Sequence, residues 1–379
     1  MPGVIAAGGA ETAASGAAIL KAGGNAVDAA VAAAFVSFIA EIGVVHLGGS
    51  GIAHIFNPQN GRSLVYDFFS NTPGHNGIKP DRLDFDQVTI DFGATTQDFH
   101  LGRAAVAVPG NIFGLCQMAA DYGRLPLQKL LEPALKLARE GTKMDAFQAS
   151  TCKLLEPLYT HTAGMRTIFT PNGPIIQPGD NLFIPDLADT MTTLAEEGEA
   201  YARHGRLAQL FVQDQQQNGG LITQDDLTHY KVRKVNSIRL PYHDFEILLP
   251  PPSSTGGVLT AFTLKLLSRF DVQKRPHGSA DHLRLLYEIM VATNRARPYW
   301  DQWSDEHPEE AITHFLGDDF VDQYCHEVQD TLASRHASPF TPEPDAPNNT
   351  SHLSVIDGQG LAVSLTTTAG ESAGYVVPG

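Results

Sequence analysis

One stretch of the sequence, Asn349-Thr350-Ser351-His352, has residue types and a position that could carry covalent chemistry. A hydroxyl-bearing residue stands directly after a proline-rich segment (SPFTPEPDAPNN) and directly before an apolar, β-branched run. A threonine hydroxyl is a weak nucleophile unless a base takes its proton, and a free α-amino group, with a pKa of about 8, can be that base. An α-nitrogen locked in a peptide bond cannot. Such chemistry therefore requires a cut between Asn349 and Thr350, and an exposed, irregular connector is where a cut is tolerated. The plain alternative is a loop-to-strand boundary, where threonine is common. The tetrapeptide alone leaves both readings open.

Other patterns carry less. Gly370-Glu371-Ser372-Ala373-Gly374 fits G-x-S-x-G, but a nucleophile elbow needs a following helix and then an acid and a histidine further along. Here Tyr375-Val376-Val377-Pro378 reads as extended and no Asp or His follows Ser372, so a glycine-rich turn is expected. Gly48-Gly49-Ser50-Gly51 lacks both G-x-G-x-x-G and the GK[ST] ending of a phosphate loop, and a strand is expected after it. Cys116, Cys152 and Cys325 are far apart without CxxC spacing, which reads as three reduced thiols. The fifteen histidines show no HExxH or clustered spacing. Neither a metal nor a cofactor is expected.

The elements that must position such residues alternate between helix and strand, which favours an α/β layered fold. Glu11–Leu20 and Ala26–Ile39 are helix formers split by Gly23-Gly24-Asn25, with Asn25 as the N-cap of the second helix and Asp28 at N3. The small alanine face of that helix suits close packing on a sheet. Residues 52–56 and 63–69 read as a hairpin, and residues 74–100 as polar and irregular. Pro126–Gly141, Pro185–Gly198 and Asp281–Arg297 have helical spacing. Residues 333–349 lose all periodicity and read as an exposed, mobile connector. Leu353–Asp357 and Leu361–Thr368 flank Gly358-Gln359-Gly360 as a second hairpin.

The 379 residues suffice for one large core or two ordinary domains. With 26 Lys+Arg against 42 Asp+Glu the formal charge is −16, which argues against nucleic acid or an anionic membrane as the main partner. The alanine-rich start has no basic n-region, and its clean run Ala29–Ala40 falls short of the ~20 residues that span a bilayer. The expected location is the cytoplasm.

Over nearly its whole length the chain resembles the γ-glutamyltransferase (γ-glutamyltranspeptidase) family of N-terminal-nucleophile (Ntn) hydrolases. The stretches that carry the resemblance are AGGNAVDAAVAAAF with LGGSG, AVAVPGNIFGL, YGRLPLQKLLEPALKLAREG, NGGLITQDDLTHY, PPPSSTGG, GDDFV and NTSHLSVIDGQGLAVSLTTT. The resemblance implies a four-layer αββα sandwich, self-cleavage at Asn349-Thr350 and Thr350 as the nucleophile. It makes residues 1–349 a large-subunit-like region and 350–379 the first two strands of a small-subunit-like region. Thr368 falls where the family has a second Thr that contacts the nucleophile.

Two positions depart from the family pattern. The family's D-F-R-E-K-A-P reads Asp67-Phe68-Phe69-Ser70-Asn71-Thr72-Pro73, so Phe69 replaces the Arg that grips the substrate's α-carboxylate. A guanidinium pairs bidentately with a carboxylate and a phenyl ring cannot. The family's recognition Asn two residues after Thr368 is Gly370 here. Altered acyl specificity is therefore expected.

The resemblance also places an acidic residue, a Ser pair and the oxyanion-hole glycines beyond residue 379, so this length of chain is expected to be C-terminally truncated and inactive by itself. The implied function is transfer or hydrolysis of a γ-glutamyl or related acyl group through an acyl-threonine. A cephalosporin/glutaryl-type amide acylase and a non-catalytic or unprocessed member with a binding or structural role are the alternatives. The expected partners are a small-molecule amide or γ-glutamyl substrate and the two segments of one precursor, and a homodimer is allowed.

Overall fold

A computed structural model describes residues 2–75, 77, 80–93, 95–308, 310–334, 336–339 and 350–379. Two compact units divide it, one formed by residues 1–234 with 344–379 and the other by residues 235–343. The amino-terminal and carboxy-terminal segments of the chain thus belong to one unit.

The first unit is built on a six-stranded sheet. Its strands run in the order Gly3–Ala7, Ser351–Asp357, Ala362–Thr368, Ser50–Asn57, Arg62–Phe68, Arg233–Asn236. The C-terminal hairpin lies inside this sheet, antiparallel to Gly3–Ala7 on one side and to Ser50–Asn57 on the other. The helix Ala26–Ala40 packs against both strands of that hairpin, and all fifteen of its residues are buried. Alanine side chains let its axis approach the sheet closely, which the sequence anticipates. Its start is fixed by a capping box: the Asn25 side chain accepts from the Asp28 N–H, and Asp28 accepts from the Asn25 N–H at 2.9 Å. Asp357, at the hairpin turn, accepts from the Ala26 N–H at 3.2 Å and ties the turn to the helix.

On the opposite face of the sheet Val4 and Ile356 are exposed. Helices and strands alternate in this unit, as the expected α/β layered class requires, with the helix Ala26–Ala40 layered on the sheet's other face. The helices Leu127–Glu140 and Leu187–Glu197 lie within the expected spans.

Residues 74–100, expected to be irregular, contain an antiparallel hairpin, Asp86–Asp91 with Thr96–Leu101. Its apolar positions Ile90, Phe99 and Leu101 are buried in a separate cluster with Leu158 and Phe169. Only one side of each strand is covered, and the intervening polar residues hide the alternation.

The second unit holds a two-stranded hairpin, Ile238–Tyr242 with Phe245–Leu249, and the helices Thr255–Leu267, Ala280–Glu306, Ala311–Phe315 and Asp318–Ala333. Ser253-Ser254-Thr255-Gly256-Gly257 opens the first of these, with the Ser254 hydroxyl accepting from the Gly257 N–H. The helix expected over 281–297 runs on to Glu306 through Pro298. Trp300, buried beyond the proline with Phe262 and Phe315, supplies the packing that offsets the lost hydrogen bond. Ala333 closes the last helix, and residues 340–349 of the expected connector, with Asn349, lie outside the described residues.

Candidate active site

The register of the sheet brings the candidate residues into one row. Ser351 pairs with Thr367, so Thr350 continues the ladder opposite Thr368. Thr368 pairs with Ser50, and because Gly51 pairs with Phe68, Ser50 stands opposite Phe69. Residues directly opposite across antiparallel strands put their side chains on the same face. The Thr350 hydroxyl accordingly approaches the Thr368 hydroxyl at 3.5 Å, and Thr368 also accepts from the Gly370 N–H at 3.0 Å. Neighbouring strands lie ~4.8 Å apart, so Thr350 and Phe69 are roughly 14 Å from each other across three such spacings.

Gly48-Gly49-Ser50-Gly51 is what permits this close row. A Cβ on Gly49 would fall 2.1 Å from the Thr368 carbonyl oxygen, and one on Gly51 would fall 2.5 Å from that of Thr366. Gly49 and Gly51 are packing necessities, and the Ser50 between them sits opposite Thr368, which sequence reasoning missed. Ser372 has φ 61 after a strand, but no helix follows it among the described residues, so the G-x-S-x-G match lacks the strand-to-helix turn of an elbow.

A cleft of about 1210 Å³ adjoins the row, with Thr368, Gly370, Ser50 and Phe69 in its wall. The remaining wall is largely apolar, with Val106, Phe113, Phe211 and Tyr375. Phe69 is 46% exposed there. Its carbonyl accepts from the Tyr230 hydroxyl at 2.8 Å and its N–H donates to Asp67 at 3.1 Å, so its place is set by the backbone and not by the ring. Asp67 is in turn paired with Arg233 at 3.0 Å. Gly370 has φ 62, a conformation that suits Gly and Asn, and a Cβ there meets nothing within 4 Å.

Among the described residues in the wall, one is an arginine, Arg103, which the sequence analysis did not single out. Its Nε and Nη2 bond both oxygens of Asp214 at 2.6 and 3.2 Å, and its Nη1 bonds Asp84 at 2.9 Å. The Tyr375 hydroxyl donates to the same Asp214, and the guanidinium lies over the Tyr375 ring. These bonds from Asp214, reinforced by Asp84 and opposed by burial, hold Arg103 charged far above neutral pH. Its fork is already occupied by two carboxylates, so it offers no open bidentate face to a ligand. His46, also in the wall, is kept neutral because burial lowers its imidazole to about 4.

His352, two residues along the strand from Thr350 and on the same face, is bonded to Thr366 at 2.8 Å and Ser354 at 3.0 Å. Among the described residues Asp84, Asp86 and His161 bring ligand-type atoms within 4.8 Å of one another. Asp84 is already engaged there by the Arg103 side chain and backbone N–H.

The family description Gamma-glutamyltranspeptidase matches residues 12–379. An acylase ACY 1 proenzyme of Pseudomonas sp. (strain V22) is 32% identical over 360 residues, covering 94% of this chain and 63% of that protein. A glutathione hydrolase proenzyme of Escherichia coli (strain K12) is 31% identical over 356 residues, covering 92% and 60%. The chain thus spans about three fifths of the length of these curated relatives. The gamma-glutamyltranspeptidase of Helicobacter pylori superposes with a TM-score of 0.71 at 26% identity, covering 88% of this chain and 91% of that one. A cephalosporin acylase of Bacillus halodurans superposes with a TM-score of 0.80 at 24% identity, covering 99% and 67%, a likeness of fold.

Proposed function

The chain belongs to the gamma-glutamyltranspeptidase family, and on that premise we propose that Thr350 is the nucleophile of a self-cleaving acyl-transfer enzyme. In the first reaction the Thr350 Oγ attacks the carbonyl carbon of Asn349. The peptide C–N bond breaks, and the nitrogen takes a proton to become the free Thr350 amine. Water then hydrolyses the Asn349 ester and returns the hydroxyl. In turnover the Thr350 amine takes the hydroxyl proton while Oγ attacks the amide carbonyl of the substrate. The departing amine receives that proton, and an acyl-threonine remains. Water or a second amine resolves it. Thr368 aligns the nucleophile.

The observation that carries this reading is the 3.5 Å approach of the Thr350 hydroxyl to that of Thr368, a residue of the cleft wall. The experiment is an intact-mass measurement on the full-length protein together with Thr350→Ala. Two pieces, one beginning at Thr350, and loss of both cleavage and turnover in the variant are expected. An uncut chain that still turns over substrate overturns the mechanism, and so does unchanged turnover in Thr350→Ala.

A second reading concerns the acyl group. Phe69 and Gly370 remove two polar contacts that the family resemblance assigns to a γ-glutamyl group, and Arg103 is bonded to Asp84 and Asp214. These features favour an amide acylase that takes an acyl chain without a carboxylate at that end.

A further inference from the structure

Glu41 closes the alanine-rich helix, and its carboxylate joins three elements. One oxygen accepts from the Gly9 N–H at 3.0 Å and the Thr12 hydroxyl at 2.5 Å, both at the amino end of the helix Ala10–Lys21. The other accepts from the Ser351 hydroxyl at 2.5 Å. Thr12, Glu41 and Ser351 are all buried. The glycines leading into the first helix make room for this arrangement, since a Cβ on Gly8 or Gly9 would lie 3.0 or 2.9 Å from the carboxylate. The helix dipole favours an anion at that place.

A carboxylate inside a protein is costly unless its oxygens are bonded, and an apolar side chain would fill the same space without that cost. Here the bonded donors include the residue next to Thr350. We propose that Glu41 is a positioning residue for the nucleophile: through Ser351 it fixes the first residue of the strand and so keeps the Thr350 hydroxyl opposite Thr368. The inference rests on the reading of Thr350 as the nucleophile. Cleavage turns Thr350 into a chain terminus, and termini fray unless tied down. The tie that then remains at its side is Ser351, held by pairing with Thr367 and by Glu41. A displacement of about 1 Å at such a group costs on the order of a hundredfold in rate, so a small loosening is read directly in turnover.

The test uses the full-length protein with Ser351→Ala, Ser351→Thr and Thr350→Ala. The readouts are the rate at which the Thr350 N-terminus appears by mass spectrometry, and kcat and KM on one chromogenic amide. Ser351→Ala is expected to slow cleavage and kcat by about tenfold or more with KM within about twofold. Ser351→Thr, which keeps the hydroxyl, is expected to recover most of both. Cleavage and kcat within about threefold of wild type in Ser351→Ala overturn the proposal. So does a loss that Ser351→Thr leaves unrecovered.

If Ser351→Ala does not fold, Glu41→Ala and Glu41→Gln read the same role. A loss of about tenfold or more in cleavage and kcat in Glu41→Ala that Glu41→Gln largely recovers, its amide still accepting from Gly9 and Thr12 and donating to Ser351, supports the tie, and rates within about threefold of wild type in Glu41→Ala overturn it. An active Thr350→Ala overturns the nucleophile reading itself. An inactive Thr350→Ala beside a wild-type Ser351→Ala overturns only the role of Glu41.

Discussion

Replacing Phe69 with arginine tests the specificity argument at the residue that motivates it. The substitution should leave the loop in place, because the backbone of residue 69 is held by the Tyr230 hydroxyl and by Asp67 independently of the ring. Asp67, which accepts from the residue-69 N–H, already bonds Arg233. The new guanidinium is therefore free to reach into the cleft. A hydrogen bond to a charged group contributes about 1.5–3 kcal/mol when desolvated, and an exposed ion pair about 0.2–1 kcal/mol. At 46% exposure the position lies between these limits, so about 1–2 kcal/mol is expected. At about 1.4 kcal/mol per tenfold, that is roughly a 5–30-fold change. The assay compares kcat/KM for γ-glutamyl-p-nitroanilide and butyryl-p-nitroanilide, which lacks the carboxylate. Phe69→Arg should shift the ratio by that factor toward the glutamyl substrate. An unchanged ratio, or a wild-type enzyme that already prefers the glutamyl amide strongly, refutes the reasoning.

Three further outcomes follow from the packing and the titrating groups. Gly114→Ala places a methyl group 2.1 Å from Cγ of the buried Phe68 ring, so it should destabilise the fold by about 1–3 kcal/mol in urea unfolding despite alanine's better helix propensity. Asp28→Ala leaves the N–H groups of Asn25 and Arg124 without their acceptor at a fully buried site and should cost roughly 2–4 kcal/mol in the same measurement. Burial lowers His46 to about 4, and burial lowers His54 and His352 as well. The unfolded chain then binds protons that the folded chain refuses, so stability is full above pH 6.5 and falls as pH drops toward 4. His46→Gln should flatten that part of a Tm-against-pH curve. The loss below pH 4 should remain, because Asp226, raised by burial but lowered further by N–H groups of His75, Gly74 and Thr223, is protonated only there.

Much of the scaffold around Thr350 was legible in the residues. The Asn25-Asp28 cap, the alanine helix and the Asp-Gly-Gln-Gly hairpin are local signals, and each appears where its own sequence dictates. The Thr350–Thr368 approach was implied by the family resemblance, and the hairpin register accounts for it. What stayed hidden depends on contacts between distant parts of the chain. Ser50 faces Thr368 only because two strands more than 300 residues apart pair in one register. Arg103 meets Asp84 and Asp214 across separate elements, and nothing near it in sequence marks that pairing. Glu41 did leave a trace: an acid ending a largely apolar helix must find donors if it is buried. The helix past Pro298 and the hairpin of residues 86–101 went unread because tertiary packing overrides a local breaker in one and masks a weak alternation in the other.

The central claim is that Thr350 carries the acyl group. Acid-quenching the full-length protein during turnover of a slow amide substrate, then mapping peptides by mass, locates the covalent intermediate. The account predicts the acyl mass on a peptide whose first residue is Thr350, absent from Thr350→Ala. An adduct on any other residue, or turnover without a peptide beginning at Thr350, contradicts it.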